Sequence, residues 1–218
     1  DDPRKSTESY KSILKAVLMD IVLTLESYHY GKYVLQKELE ELAVTDHLTS
    51  LYNIRKLEEE LDREIARHRR YGHPLSVILA DLDDFKAVND QLGHLVGDDV
   101  LREVAAIVKA NVRAVDLAVR YGGEEFLVLC PDTGLEHAHR LAEKLRRFVE
   151  VSEFPADGVT LSLGAAQLAP GEDGRSFVAR ADRMLYRAKR EGKNRVCSAE
   201  LPPRPGGNSA APIDNDSH

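Results

Sequence analysis

The sequence predicts an α/β protein in which a mixed central sheet carries flanking helices and a long helix comes first. Three observations predict this class. Apolar runs typical of strands alternate with segments of helical periodicity, two adjacent runs flank the pair Gly122 and Gly123 as in a hairpin, and the N-terminal segment keeps one helical repeat throughout. Alternating strands and helices with one hairpin imply a sheet with both parallel and antiparallel neighbours.

The first element is a long helix, predicted over residues 9–43. Its apolar and aromatic side chains recur at alternating steps of four and three residues: Leu14, Leu18, Ile21, Leu25, Tyr28, Leu35, Leu39 and Leu42. Such a repeat favours a dimeric coiled coil, and an amphipathic helix packed on a globular neighbour is the alternative. Lys32 interrupts the seam, and Gly31 costs about 1 kcal/mol in a helix interior. We therefore predict residues 1–45 to be a coiled-coil stalk or signalling linker.

The globular domain is predicted over residues 46–198. Thr45 or Asp46 can cap its first helix, at 52–71. The later elements are a buried strand at 75–83, a helix at 96–112, a hairpin within 116–130, a helix at 135–151, a strand at 159–168, a helix at 176–191 and a short last strand within 194–199. Residues 199–218 are rich in Pro, Gly, Ser and Asn, and we predict a disordered tail.

The composition is that of an ordinary globular protein, with 43% hydrophobic and 31% charged residues. The formal net charge of −7 argues against non-specific binding to nucleic acid or anionic membranes, which requires clustered positive charge. Cys130 and Cys197 form neither a disulfide framework nor a zinc motif, which favours the cytoplasm. Charged residues interrupt the longest apolar stretch, so we expect no membrane insertion of this chain. It begins without Met, and we expect it to be a piece of a longer protein.

Two acidic clusters fall where strands end. Asp81, Asp83 and Asp84 close the buried strand, and Glu124 and Glu125 lie at the hairpin turn. If the hairpin lies beside that strand, Asp81 and one glutamate can meet at the rim of the sheet. Carboxylates held this close repel unless a proton or a cation intervenes, and an open set of hard oxygen ligands suits Mg²⁺. Solvated acids that merely end the strands are the alternative.

Other polar residues are typical of a nucleotide site. Asn89 and Asp98 carry side chains that together can pair with the edge of guanine. Lys189 and Lys193 lie one helical turn apart and can clamp phosphates. A solvated basic helix end is the alternative for the two lysines.

Six motifs in order carry a resemblance to the GGDEF domain, the diguanylate cyclase family: DHLTSLYN, DLDDFKAVNDQLGH, GDDVL, RYGGEEF, LSLGAA and ADRMLYRAKREGKNRV. The resemblance covers residues 46–198. It implies a fold akin to the palm of nucleotide polymerases and cyclases. It also implies an enzyme that condenses two GTP into cyclic di-GMP, a bacterial second messenger, and two pyrophosphates, as a homodimer in which each subunit presents one GTP. A catalytically inactive domain that acts as a cyclic di-GMP receptor is the alternative.

The resemblance also assigns site residues. Asp81 and Glu124 match the ligands of two Mg²⁺ or Mn²⁺ ions, with the backbone carbonyl of Leu82 as a further ligand. Either Glu124 or Glu125 would assist deprotonation of the attacking 3′-hydroxyl. The positions that match substrate binding are Asn89 and Asp98 for guanine, and Phe85, Lys86, Lys189 and Lys193 around the triphosphate. Two positions depart from the family: Lys193 stands where many members carry Arg, and Asp84 stands where His or Phe is commoner.

Arg113 and Asp116 match the RxxD site through which the product inhibits members of this family, and Arg140 or Lys144 is a candidate second contact. The alternative is an arginine at a helix end beside a turn aspartate. The stalk would bring two cyclase domains together under an upstream sensor. Residues 15–33 are faintly similar to the last helix of the sensor globins of globin-coupled cyclases. We expect no haem in this fragment and predict His29 to be an exposed helix residue.

Overall fold

The computed structural model describes residues 3–42 and 44–199. The chain divides into two compact units, Asp1–Val44 and Thr45–His218. The predicted disordered tail lies outside the described residues, apart from Ala199.

The first unit is helix α1, Pro3–Leu42, which confirms the predicted long helix and extends it towards the N-terminus. The seam residues with described side chains are between 50% and 67% exposed: Leu14, Leu18, Ile21, Leu25, Tyr28 and Leu35. The side chains of Leu39 and Leu42 lie outside the described part. His29 is exposed, as predicted. Among the described helices, none combines the length and the apolar character needed to cross a membrane.

The second unit is a five-stranded mixed sheet with helices on both faces. Its elements are α2 (Ile54–Tyr71), β1 (Leu75–Leu82), α3 (Phe85–Leu92), α4 (His94–Asn111), β2 (Leu117–Arg120), β3 (Glu125–Pro131), α5 (Leu135–Val151), β4 (Leu161–Gln167), α6 (Gly174–Arg190) and β5 (Val196–Ser198). The strand order is β2-β3-β1-β4-β5. Strand β1 is antiparallel to β3 and β4, whereas β4 and β5 are parallel. The predicted fold class, the hairpin and the short last strand are confirmed.

Strand β1 lies at the centre of the sheet, and all its residues are buried. Its side chains alternate between two apolar clusters, because successive residues of a strand point to opposite faces. Ile78 and Ala80 pack in the cluster that contains the buried faces of α4 and α5. Val77 and Leu79 pack in the cluster that contains those of α2 and α6. Burial on both faces explains why the sequence of β1 is an almost unbroken apolar run.

The predicted cap of α2 was wrong. Asn53 is the N-cap, and its side chain accepts a hydrogen bond from the backbone N–H of Lys56 at 3.2 Å. Asp46 instead accepts hydrogen bonds from the backbone N–H and the hydroxyl of Thr49, at 2.9 and 2.6 Å. A capping carboxylate and a turn carboxylate have the same sequence signature, because both bond to a backbone N–H three residues ahead.

Helix α3 was not predicted from the sequence. It spans eight residues and buries only Phe85, although Phe85, Val88 and Leu92 recur at helical spacing. Its N-cap, Asp84, is in the left-handed region at φ 54° and makes no side-chain capping hydrogen bond. So short a segment with a single buried side chain gives only a weak helical signal, although aspartate is a common N-cap residue. The fold nevertheless uses α3 to carry three of the predicted substrate-binding residues.

Candidate active site

The pairing of β1 with β3 brings the acidic residues of the two strand ends together. In this register Asp81 lies opposite Glu125. Just beyond the paired residues, the backbone N–H of Leu82 donates to the carbonyl oxygen of Glu124 at 3.3 Å. The prediction that Asp81 meets the hairpin glutamates at the sheet rim therefore agrees with the strand register.

One lysine lies against these carboxylates. Nζ of Lys189, on α6, is 2.7 Å from Oδ1 of Asp81, whose side chain is only 6% exposed. No hydrogen bond from another described residue reaches that oxygen. Burial raises the pKa of Asp81 above its ordinary value, although the ammonium of Lys189 opposes the shift. The pKa values of Glu124 and Glu125 are raised first by burial and then by the charge of Asp81.

This rim concentrates negative charge that a further cation would relieve. Within the described ranges, no three His, Cys, Asp or Glu side chains are grouped so as to hold a metal ion. Mg²⁺ does not require such a cage, since it usually takes one or two carboxylates and completes its shell with water and substrate phosphates. The carboxylates of Asp81 and Glu124 therefore fit Mg²⁺ as a partial ligand set.

Asp83 has a different environment, although it lies two residues after Asp81. Its Oδ1 accepts a hydrogen bond from the hydroxyl of Ser162 at 2.6 Å. Its Oδ2 accepts from the hydroxyl of Thr160 at 2.8 Å and from the backbone N–H of Asn194 at 3.0 Å. The side chain is buried and bonded on both oxygens, so it belongs to the framework of the site.

The expectation that Lys189 and Lys193 lie one helical turn apart was wrong, because α6 ends at Arg190. Lys193 lies in the loop between α6 and β5, and its Nζ is 2.5 Å from Oδ1 of Asp84. This ion pair raises the pKa of Lys193. Lys86 is exposed on α3. Lys189 on α6 and Lys193 in the following loop thus contact acidic residues at the end of β1. Lys86 lies in the first turn of α3, the next element after β1.

The predicted guanine-binding residues lie on two adjacent helices. Asn89 is on α3 and Asp98 is on α4, and both are half-buried. A Cβ added at Gly97 would overlap with Oδ1 of Asn89 and lie 3.2 Å from Cζ of Phe85. Gly97 therefore lets Asn89 lie directly against α4. Phe85 is 6% exposed within the apolar core, where its ring supports this helix contact.

A clamp that the sequence did not predict holds the hairpin turn. Arg120 donates from Nη1 to both carboxylate oxygens of Asp46, at 3.1 and 3.2 Å, and from Nη2 to the carbonyl oxygen of Gly123 at 2.8 Å. Burial alone would raise the pKa of Asp46, but hydrogen bonds from Thr49 and Arg120 hold it below its ordinary value. Arg120 and Asp46 are 74 residues apart, so no local pattern could have indicated the pair.

The predicted RxxD residues are paired with each other. Nη2 of Arg113 lies 2.6 Å from Oδ1 of Asp116, and it also donates to the hydroxyl of Thr133 at 2.7 Å. The carboxylate is buried, whereas the guanidinium is about half exposed. These residues line a cleft of about 370 Å³. On α5, Arg140 pairs with Glu136, and Lys144 lies 5.7 Å from the centre of the Phe148 ring.

The fold and the site define an α/β domain with an acidic rim at the strand ends, beside a lysine-bearing helix. Residues 43–195 match the family model described as diguanylate cyclase, GGDEF domain. The chain belongs to this family.

Similar proteins agree with this assignment. The chain is 47% identical to the response regulator PleD of Caulobacter vibrioides over 163 residues, which cover 72% of this chain and 36% of PleD. It is 38% identical to the diguanylate cyclase DgcP of Pseudomonas aeruginosa, over 82% of this chain and 27% of DgcP. The crystal structure of the coiled coil and GGDEF domain of Caulobacter crescentus DgcB in complex with c-di-GMP matches with a TM-score of 0.69 and 33% identity, over 82% of this chain and 99% of that one. The chain thus spans about a third of the length of these curated relatives.

Proposed function

We propose that this protein is a diguanylate cyclase that condenses two GTP molecules into cyclic di-GMP and releases two pyrophosphates. The observation that carries the proposal is the meeting of Asp81 with the hairpin glutamates beside Lys189. Such a rim can hold a cation and the phosphates of a nucleotide at the same place. Relatives named as diguanylate cyclases and the c-di-GMP complex of DgcB support the choice of substrate and product.

In this proposal, Asn89 and Asp98 recognise guanine. The carboxylate of Asp98 accepts from N1–H and the exocyclic amine, while the amide of Asn89 pairs with the remaining polar edge. Adenine has no donor at N1, so Asp98 favours GTP over ATP. Lys86, Lys189 and Lys193 contact the triphosphate, and Lys193 makes a point contact where an arginine would make a bidentate one. Phe85 contributes through the packing of α3.

The acidic rim carries the reaction chemistry. Asp81, Glu124 and the backbone carbonyl of Leu82 would hold Mg²⁺ or Mn²⁺, which when bound supplies charge stabilisation for the attacking hydroxyl and the leaving pyrophosphate. Glu124 or Glu125 accepts the proton of the 3′-hydroxyl of GTP.

The proposed enzyme acts as a dimer whose activity is regulated. Two copies face one another as a homodimer, each presenting one GTP, and α1 acts as the coiled-coil linker to an upstream sensor. Cyclic di-GMP binds as an inhibitor at Arg113 and Asp116. The exposed guanidinium of Arg113 can turn from Asp116 to the ligand. Arg140 or Lys144 provides a second contact. We place the protein in the cytoplasm, where GTP is available.

A turnover assay tests the proposal. Purified protein freed of bound nucleotide and supplied with GTP and Mg²⁺ should form cyclic di-GMP and pyrophosphate, and ATP should give no product. Glu124→Gln should abolish turnover while leaving the thermal unfolding midpoint within a few degrees of the parent. If the parent protein binds cyclic di-GMP but does not turn over GTP, the receptor alternative is correct instead.

A further inference from the structure

We propose that Asp83 is a positioning residue for the substrate triphosphate, because its buried carboxylate holds the loop between α6 and β5 in the conformation that presents Lys193. The inference rests on the proposed function, in which Lys193 contacts the triphosphate. It gives Asp83 a role separate from that of its neighbour Asp81.

The carboxylate of Asp83 joins three parts of the chain. The hydroxyls of Thr160 and Ser162, at the start of β4, donate to its two oxygens, and the backbone N–H of Asn194 donates to Oδ2. The backbone N–H of Asp83 in turn donates to the carbonyl oxygen of Thr160 at 2.9 Å. A carboxylate bonded in this way is fixed in orientation, so it can serve as an anchor for the loop.

The anchored loop needs such support. Gly192, Lys193 and Asn194 all have positive φ, at 116°, 60° and 44°. Glycine adopts this region freely and asparagine tolerates it, but the Cβ of lysine is crowded there. Lys193 is therefore held in an unfavourable backbone conformation by its surroundings.

Hydrogen bonds of Lys193 and of the residue after it stabilise this backbone conformation. The backbone N–H of Lys193 donates to the carbonyl oxygen of Ala188 at 3.1 Å. The backbone N–H of Asn194 donates to Asp83. The side chain of Asn194 is also bonded, accepting from Arg146 at 2.8 Å and donating to Glu150 at 2.7 Å. Of these bonds, the one to Asp83 ties the loop to the end of β1, where the reaction site lies.

Asp83 is also close in sequence to other residues near the proposed triphosphate site. Asp84 follows directly, adopts φ 54° and pairs with Nζ of Lys193. Lys86 lies two residues further on, in the first turn of α3. Asp83 thus links the loop that carries Lys193 to the chain segment that leads into α3, and three donors compensate its charge.

The test compares nucleotide binding by two matched variants, Asp83→Asn and Ser162→Ala. Asparagine has the shape of aspartate but replaces one acceptor oxygen with a donor group, so it cannot keep all three bonds. Alanine at position 162 removes one donor to the same carboxylate and leaves the bond from Asn194. Calorimetry with Mg²⁺ would measure the Kd of a GTP analogue with a non-hydrolysable α,β-bridge and that of GMP, which carries the guanine without the triphosphate.

We expect Asp83→Asn to raise the Kd of the GTP analogue about tenfold and to leave the Kd of GMP within about twofold, whereas Ser162→Ala changes neither by more than about twofold. Equal losses for GMP and the GTP analogue, or equal losses in both variants, would overturn the proposal, because either result means a general structural role. The readout requires no turnover. A parent protein that binds the analogue without forming cyclic di-GMP refutes the proposed function and leaves this inference standing.

A second variant covers the case in which Asp83→Asn does not fold. A glycine inserted between Gly192 and Lys193 releases the loop without touching the buried carboxylate. We expect the same selective loss of affinity for the GTP analogue. Unchanged affinity after this insertion would show that the loop conformation does not position Lys193, and the proposal would be wrong.

Discussion

Asp81 and Asp83 show that burial alone does not decide what a carboxylate does. Both are almost fully buried, at 4% and 8% exposure. Asp83 has three hydrogen-bond donors on its two oxygens, whereas Oδ1 of Asp81 has the ammonium of Lys189. These three donors occupy most of the roughly four lone-pair sites of the Asp83 carboxylate and leave little capacity for a ligand. The different partners assign Asp83 to the framework and leave Asp81 as the candidate ligand.

The contact of Asp84 with Lys193 has a measurable consequence. The exposed carboxylate competes with phosphate for the ammonium, so Asp84→Asn should lower KM for GTP. Exposed ion pairs are weak, so we expect a decrease of about two- to fivefold, and a smaller one at high salt, where the pair is already screened. Steady-state kinetics at two ionic strengths would measure it. An increase in KM would mean that Asp84 assists binding.

A substitution at Gly97 should change the proposed binding of GTP with little effect on the stability of the fold. Alanine favours a helix over glycine by about 1 kcal/mol, but its Cβ would overlap with the side-chain oxygen of Asn89. We expect Gly97→Ala to raise KM for GTP about tenfold, the cost of displacing one good hydrogen-bonding group, while the free energy of unfolding stays within about 1 kcal/mol.

Asn89→Ala is the matched control for Gly97→Ala, because it removes the amide without adding a Cβ to α4. The two variants should have similar KM values, and the double variant should be no worse than either single one. Additive losses in the double variant would contradict the view that Gly97 acts through Asn89.

The candidate site was predictable where its chemistry lies in short motifs. Asp81, Glu124 and the two lysines of α6 and its loop belong to contiguous segments with recognisable composition. The partners of Asp83 were not predictable, since they lie 77, 79 and 111 residues further along the chain. Only the pairing of β1 with β4, and the return of the chain through α6, brings those donors to the carboxylate.

Among the elements, too, local sequence signals predicted some features and not those that depend on tertiary contacts. The hairpin and helix α3 are examples. The hairpin was predictable because two apolar runs flank a pair of glycines, a strong local signal. Helix α3 was not predicted, because it is only eight residues long and its packing against α4 is a tertiary contact. The clamp on the hairpin turn is also tertiary, since Asp46 lies at the start of the domain and Arg120 lies at the end of β2.

This clamp predicts a kinetic effect of Arg120→Lys. Lysine has one compact ammonium, so it cannot bond to Asp46 and to the carbonyl oxygen of Gly123 in the geometry of the guanidinium fork. The turn that carries both glutamates would lose its fixed position. We expect kcat to fall about 10- to 100-fold, as for other displacements of catalytic groups, with a smaller change in KM for GTP. Steady-state assays of pyrophosphate release would measure both kcat and KM.

Two comparisons separate this positioning role from a general loss of stability. Arg183→Lys, at an exposed arginine of α6, should leave kcat within about twofold. Asp46→Asn removes the charge but keeps one acceptor oxygen, so its kcat should lie between those of the parent and Arg120→Lys. If Arg120→Lys lowers the free energy of unfolding by the ~1–3 kcal/mol of a lost charged hydrogen bond but leaves kcat unchanged, the clamp is structural only.

At the scale of the whole molecule, helix α1 has an apolar seam whose described side chains are exposed. Apolar surface of this extent usually marks an interaction site in a soluble protein. A coiled coil of two copies would bury the seam and raise the local concentration of the two cyclase domains. Because the proposed reaction needs two GTP-loaded domains, activity and dimerisation should change together.

Leu18→Glu combined with Leu25→Glu tests this link in the full chain. Each leucine contributes about 1.5–3 kcal/mol when buried, and two facing carboxylates add repulsion, so the Kd of the dimer should rise by at least about 100-fold. Specific activity should then rise with protein concentration, because the domains must meet by diffusion, and sedimentation should show monomers at low concentration. Ser27→Glu combined with Tyr30→Glu adds the same charge off the seam and should behave as the parent does. Activity independent of concentration in the seam variant would show that the GGDEF domains find each other without α1, and the stalk would then have no part in bringing them together.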